Sequence, residues 1–280
     1  MSAASSHPVA VIGAGPVGLA AACHLVERGF DVVVLEAGKE VAASVLEWGH
    51  VRLFSPWRYS LDTAALRLLG GADWQPPDAE QLPTGQELVT RYLRPLASRL
   101  ATRATIRVDA RVVAVSRDLV DKVDSNGRQK HAFVLRLKSA SGVESTLSAR
   151  AVLDASGTWT NPNPLGANGL PALGEDVVKS RVRYGIPDVL WAHRADYAGK
   201  TTLVVGAGHS AANAILGGWR VTGIHTAAAG QPVNISYGPP TAFQVSTLAP
   251  TYRPNYVLSL IHISEPTRLR RISYAVFCLK

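Results

Sequence analysis

The pattern Gly-x-Gly-x-x-Gly stands near the N-terminus as Gly13-Ala14-Gly15-Pro16-Val17-Gly18, and a close copy, Gly206-Ala207-Gly208-His209-Ser210-Ala211, begins 193 residues later. Each follows a short apolar run, Val9 to Ile12 and Thr202 to Val205, and each opens an Ala-rich, helix-forming stretch. This is the strand–turn–helix setting of a dinucleotide site. The first Gly permits the tight turn, the second lets a pyrophosphate approach the backbone, and a Gly or Ala at the third position lets helix pack on strand. The pyrophosphate then rests on the free N–H groups at the positive end of the helix. One such pattern is weak evidence; two in one chain commit it to an α/β fold with parallel sheets and imply two dinucleotides.

The first unit is complete. Strand Val9–Ile12, the Gly turn, helix Leu19–Arg28, Gly29 as its stop and strand Asp31–Leu35 make one βαβ unit. Glu36 closes the second strand, 18 residues past Gly18, where a carboxylate can accept both ribose hydroxyls. An acid there disfavours a 2′-phosphate, so this site reads as taking the adenosine of FAD or NAD rather than NADP. The competing reading, a Gly-rich turn in another α/β protein, does not account for the combined pattern.

The chain resembles the flavoproteins with two dinucleotide-binding domains, and among them the flavin-containing monooxygenase-like oxidoreductases. The resemblance runs from residue 8 to about 215. It is carried by Val11 through Leu19 with Val34-Leu35-Glu36-Ala37, by Ala151-Val152-Leu153-Asp154-Ala155-Ser156-Gly157, and by Val204 through Ala211. It implies FAD at Gly13, Gly15, Pro16, Gly18 and Glu36, with Gly157 passing the flavin and the backbone of Val113 meeting the adenine. It implies NAD(P)H at Gly206, Gly208, His209, Ser210 and Ala211, and a small-molecule substrate. His209 faces the junction of the two cofactors or merely caps its helix.

The resemblance has gaps. The Phe-x-Gly-x-x-x-His signature of those monooxygenases is replaced by Tyr184-Gly185-Ile186-Pro187-Asp188-Val189-Leu190-Trp191-Ala192-His193, of which His193 and Tyr197 echo only the end. A flavin reductase or dehydrogenase without oxygen insertion, or a non-catalytic fragment, therefore stand as alternatives. Thiol chemistry is excluded, because Cys23 and Cys278 cannot form a redox pair beside a flavin, and Cys23 sits among Ala21, Ala22 and Leu25 as an inert buried thiol.

Residues 1–160 read as an FAD-binding domain with a parallel sheet and a β-hairpin, 161–198 as a crossover, and 199–257 as the start of a second Rossmann-type, NAD(P)-binding domain. Within the first, Trp48 to Tyr59 is an aromatic and basic loop at the edge of the expected flavin cleft. His50, Arg52, Ser55 and Trp57 are candidates to touch flavin or substrate, against the alternative that Trp48, Phe54 and Trp57 only pack the domain. Thr84 and Glu87 form a capping box for a helix whose Leu88, Tyr92, Leu93 and Leu96 share a face despite Pro95. Ile106–Val115 reads as one strand, Ala132–Leu137 and Val143–Leu147 as a hairpin, and Ala151–Asp154 as a return to the parallel sheet.

Leu258–Arg268 reads as the in-frame translation of a transposon-type sequencing adapter and Ile272–Leu279 as its flow-cell end, with a sample index between them. The natural sequence is thus expected to stop by Val257, and the chain to be an N-terminal piece lacking the return to its FAD domain. No acidic residue lies between Asp196 and Glu265, and the helical period fades after Ile215, which reads as a frameshift or as a Pro-rich loop. The tail supplies +3 of the formal charge of +8. The remainder is modestly basic and has no Lys/Arg run with interleaved aromatics, which argues against nucleic acid as a partner. Without a secretory signal or long apolar span, a soluble cytoplasmic protein with no membrane partner is expected. No His falls in a metal-ligand spacing.

Overall fold

The computed structural model describes residues 6–213, apart from residues 72, 122, 124, 125, 167, 168, 207, 209 and 212. The adapter-like tail and the irregularity after Ile215 lie outside the described residues.

β1 (Val9–Ile12), α1 (Pro16–Glu27) and β2 (Val32–Leu35) make the anticipated unit, the two strands pairing in parallel from Val9↔Val32 to Ile12↔Leu35. Val9 to Val11 and all of β2 are buried, as strands covered on both faces must be. α1 begins three residues earlier than its periodicity suggests, because Pro16 is pre-set for the first helical position, where its missing N–H costs nothing. It stops as expected: Gly29 N–H donates to Val26 O at 3.0 Å and Phe30 N–H to Leu25 O at 3.1 Å, the paired bonds of a Schellman ending.

Short helices then cover one face of the sheet. α2 (Ala43–Leu46) leads to a single 3₁₀ turn at Trp57–Tyr59 and to α3 (Thr63–Leu69), whose first amides Ala64 and Ala65 donate to Asp62 Oδ1 at 2.9 and 3.0 Å. α4 (Gly85–Leu88) carries the capping box: Glu87 N–H donates to Thr84 Oγ1 at 3.1 Å and Thr84 N–H to Glu87 Oε2 at 2.7 Å. A π-turn at Val89–Leu93 follows and passes into α5 (Arg94–Leu100). Pro95 has no N–H to give the preceding turn, and the Arg91 carbonyl instead accepts from Trp74 Nε1 at 2.8 Å. The chain thus continues past the proline, and Leu88, Tyr92, Leu93 and Leu96 are all buried.

The single strand expected at 106–115 is two strands in two sheets. β3 (Thr105–Arg107) pairs in parallel with β2, whereas β4 (Arg111–Arg117) starts an antiparallel meander with β5 (Phe133–Lys138) and β6 (Glu144–Ala149). The turn between them is made by Asp109, at φ 51, a conformation that Asp tolerates better than most residues. Its N–H donates to Gly38 O at 2.8 Å, and its carboxylate accepts from Ala140 N–H, in the β5–β6 turn, at 2.7 Å. The hairpin itself is as expected. β7 (Ala151–Asp154) returns to pair in parallel with β1, giving the order β3-β2-β1-β7.

The crossover after β7 is organised by one buried carboxylate. Glu175 accepts from Leu165 N–H at 3.1 Å, from Ala172 N–H at 2.7 Å and from the Tyr184 hydroxyl. That hydroxyl bond, followed by the amides, holds the Glu175 carboxyl below the usual carboxylate value. Ile186 is buried in the main core, and α6 (Arg194–Tyr197) closes the segment. The strand expected at Thr202–Val205 is not formed among the described residues: the segment has no regular secondary structure and no strand partner, with Leu203 64% and Val205 52% exposed. The partner strand of a second βαβ unit would fall beyond Asn213, outside the described residues.

Candidate dinucleotide site

The carboxyl ends of β1, β2 and β7 meet at the first Gly turn, where ligands of parallel α/β sheets bind. Gly13 has φ +98, and a Cβ there would lie 2.6 Å from the Ala155 carbonyl oxygen. A Cβ on Gly18 would lie 1.9 Å from the Gly13 carbonyl oxygen. Both positions are closed to any side chain by the protein's own backbone. Gly15 differs: it caps α1 at φ −80, and a Cβ there meets nothing within 4 Å. No side chain caps this helix end. Pro16 follows, and the space beside Gly15 is left to the uncapped N–H groups of the first turn, an anion cradle.

Glu36 flanks the cradle and is only 8% exposed. Its Oε2 accepts from Ala14 N–H and its Oε1 from Gly38 N–H, both at 2.8 Å. Each oxygen keeps a second lone pair for another donor. Sequence reasoning placed Glu36 but missed these two amides, whose only signal was their place in the turns that follow β1 and β2. The Glu36 carbonyl accepts from Ala110 N–H at 2.8 Å, and β4 starts one residue later. Pairing in β4 skips from Val112↔Leu137 to Ala114↔Arg136, so Val113 is the extra residue of a β-bulge and is 48% exposed. The extra residue of a bulge is left out of the ladder. Gly157, at φ +70, follows Ser156, whose N–H and hydroxyl both donate to Asp154 Oδ1.

The aromatic loop divides between the two roles open to it. Trp57 and Trp48 are buried and pack the core. Gly85 makes room for Trp48, since a Cβ there would come within 2.7 Å of its ring. Arg52 donates through Nη1 to Leu82 O at 2.5 Å, and its carbonyl accepts from Asn213 Nδ2 at 3.5 Å. It fastens the loop on both sides. Ser55 stays half-buried, while His50 lines a cleft of about 520 Å³ together with Glu47, Thr84, Gln86, Asp188 and His193. α2 joins this cleft to the cradle: Ala42 N–H donates to Ala14 O at 3.0 Å, and Leu46, one turn or about 6 Å further along, already lines the cleft. Trp159 Nε1 donates to Glu47 Oε2 at 2.6 Å, fixing the exit from β7 on its rim.

Of the second fingerprint, Gly206 has φ +130, and Ala211 N–H donates to Gly208 O at 3.1 Å in the turn that leads into helical Ser210 and Ala211. Ala207 and His209 lie outside the described residues. Among those described, no three His, Cys, Asp or Glu side chains group to hold a metal, and no helix is long and apolar enough to cross a membrane. Cys23 is buried, and burial pushes its thiol up to about 12.

Three likenesses to known proteins match this geometry. Over 215 residues the chain is 27% identical to flavin-containing monooxygenase FMO GS-OX-like 2 of Arabidopsis thaliana, a match covering 66% of this chain and 44% of that protein. The chain spans less than half the length of this relative. Among solved structures, bacillithiol disulfide reductase Bdr of Bacillus cereus superposes with a TM-score of 0.51 at 21% identity, over 75% of this chain and 54% of that one, which establishes the fold. The family described as pyridine nucleotide-disulphide oxidoreductase matches residues 10–235, more than half of the sequence, and the chain belongs to that family.

Proposed function

We propose that the protein is an FAD-dependent oxidoreductase that takes electrons from NAD(P)H and acts on a small molecule in the manner of a monooxygenase. The carrying observation is the open space at Gly15, beside an uncapped helix N-terminus and within one turn of a carboxylate held ready by two amides. The residues fit FAD. Gly13, Gly15, Pro16 and Gly18 would seat its pyrophosphate, Glu36 its ribose hydroxyls and the bulged backbone of Val113 its adenine, with Gly157 and Arg52 bordering the flavin end. Held by these residues, FAD would supply two-electron redox chemistry. Gly206, Gly208, His209, Ser210 and Ala211 would hold the NAD(P)H pyrophosphate, and the cleft at His50 and His193 would receive the substrate. The family likeness to a monooxygenase supports oxygen insertion; the altered 184–193 segment favours a reductase or dehydrogenase as the second reading.

Gly15→Val separates fold from cofactor, because the added Cβ meets no described protein atom within 4 Å and the branched side chain fills the phosphate space. The variant is expected to fold and to purify without flavin, and retention of FAD at the wild-type level overturns the assignment. Chemistry is tested by balance. Oxygen insertion yields one oxygenated product and one water for each NAD(P)H and O₂ consumed, whereas hydrogen peroxide with no oxygenated product favours the second reading.

A further inference from the structure

A second cavity, of about 380 Å³, opens at the other end of α1, some 18 Å of helix away from Gly15. Its apolar wall is Cys23, Val26 and Leu68, and its rim carries Glu27, Arg67, Arg99 and Arg103. Gly70 and Gly71 complete the lining and contribute no side chains to it. The volume falls at the lower end of the range of about 300–1,000 Å³ common to small-molecule sites.

The charges on this rim do not cancel. Glu27 is fully engaged: Arg67 Nε and Nη2 donate to its two oxygens, each at 2.8 Å. Arg99 reaches Asp73 through a single bond of 3.2 Å, and the Asp73 side chain is 86% exposed, so water competes for that pair. Arg103 has no ion pair or side-chain hydrogen bond among the described residues. Arg67 and Arg99 stand in the last turns of α3 and α5, where a cation complements the helix dipole. Arg103 lies beyond the end of α5 and has no such role. Two guanidinium groups four residues apart, one free and one loosely held, therefore border an apolar pocket. Guanidinium binds planar acids through paired N–H donors and is weakly hydrated for a cation.

We propose that this cavity binds a small organic anion, its acidic group held by Arg99 and Arg103 and its apolar part laid against Val26 and Leu68. The site is independent of the flavin reading, since the two lie at opposite ends of α1. The test is calorimetric titration of the full 280-residue chain, in phosphate-free buffer, with benzoate, octanoate and naphthalene-1-sulfonate, and with octanamide as the neutral counterpart of octanoate. At least one acid is expected to bind, with octanoate at least tenfold tighter than octanamide. Arg103→Gln and Arg99→Gln should each weaken the bound acid at least tenfold, while Arg136→Gln on the meander and Gly15→Val in the cradle leave it unchanged. Circular dichroism confirms that each variant is folded. Equal affinity for octanoate and octanamide, no loss in Arg103→Gln, or no binding of any acid at millimolar concentration overturns the proposal.

Discussion

The same six-residue pattern occurs twice in this chain with different structural results. Gly13 to Gly18 follow a buried strand flanked by parallel neighbours on both sides, whereas Gly206 to Ala211 follow an irregular segment that is half to two-thirds exposed at Leu203 and Val205. Around Gly13 and Gly18 every would-be Cβ strikes backbone; among the described residues the nearest atom to one at Gly206 is the Ala211 Cβ, 3.9 Å away, and at Gly208 there is none within 4 Å. The pattern therefore encodes permission for close approach. What approaches comes from elsewhere in the chain: Ala155, 142 residues from Gly13, makes the first turn obligatory.

Substitution makes the difference measurable. Gly18→Ala drives a methyl into the Gly13 carbonyl and is expected to destabilise the protein by about 3 kcal/mol in urea unfolding, as overpacking against fixed backbone does. Gly208→Ala should leave the same midpoint within about 0.5 kcal/mol, because the position needs no positive φ and a Cβ there meets nothing within 4 Å among the described residues. If the two variants unfold alike, the contrast between the turns is lost. Glu36→Ala should cost about 1–3 kcal/mol even without flavin, since one buried and one partly buried amide lose their acceptor, and should also weaken FAD. An unchanged apo stability would show that the carboxylate is not held before the nucleotide arrives.

The smallest effect is confined to the crossover that joins the two regions. The Tyr184 hydroxyl and two amides lower the Glu175 value, so the stability they confer is complete above the ordinary carboxylate value and is lost as pH falls through the lowered one. Hydrogen-exchange protection factors, which correct for the intrinsic pH dependence of amide exchange, should fall between residues 161 and 185 in that acid range, while β1 and β2 stay protected. In Glu175→Gln the loss of protection should already be present at neutral pH. A protection factor that does not change with pH in the wild type would remove Glu175 as the organiser of this segment.

Local sequence carried the elements whose signals are short-range. The βαβ unit, the Thr84–Glu87 capping box and the 139–142 hairpin turn each depend on residues within a few positions of one another, and each stands where it was expected. The strand at 106–115 did not, because its apolar pattern runs through Asp109, and only the Ala140 amide and Gly38 carbonyl, both distant, turn the chain there. Trp57 could not be assigned from composition, since an aromatic residue suits a ligand cleft and a core equally well. At the site, Glu36 was legible from spacing. The bulge that takes Val113 out of its ladder was not, as it depends on the register against β5.

The pairing of β1 with β7 has a consequence in time. Val9 cannot pair with Ala151 until the intervening helices and meander have been synthesised, and closing so long a loop costs chain entropy. β1, α1 and β2 are near neighbours and can associate first, yet the Gly13 turn lacks its wall until Ala155 arrives. During synthesis, at roughly 5–20 residues per second, that wall does not exist until more than half of this chain has left the ribosome. The Gly13 turn is thus completed only once Ala155 has been synthesised, and a ligand of that turn cannot meet its full wall before then.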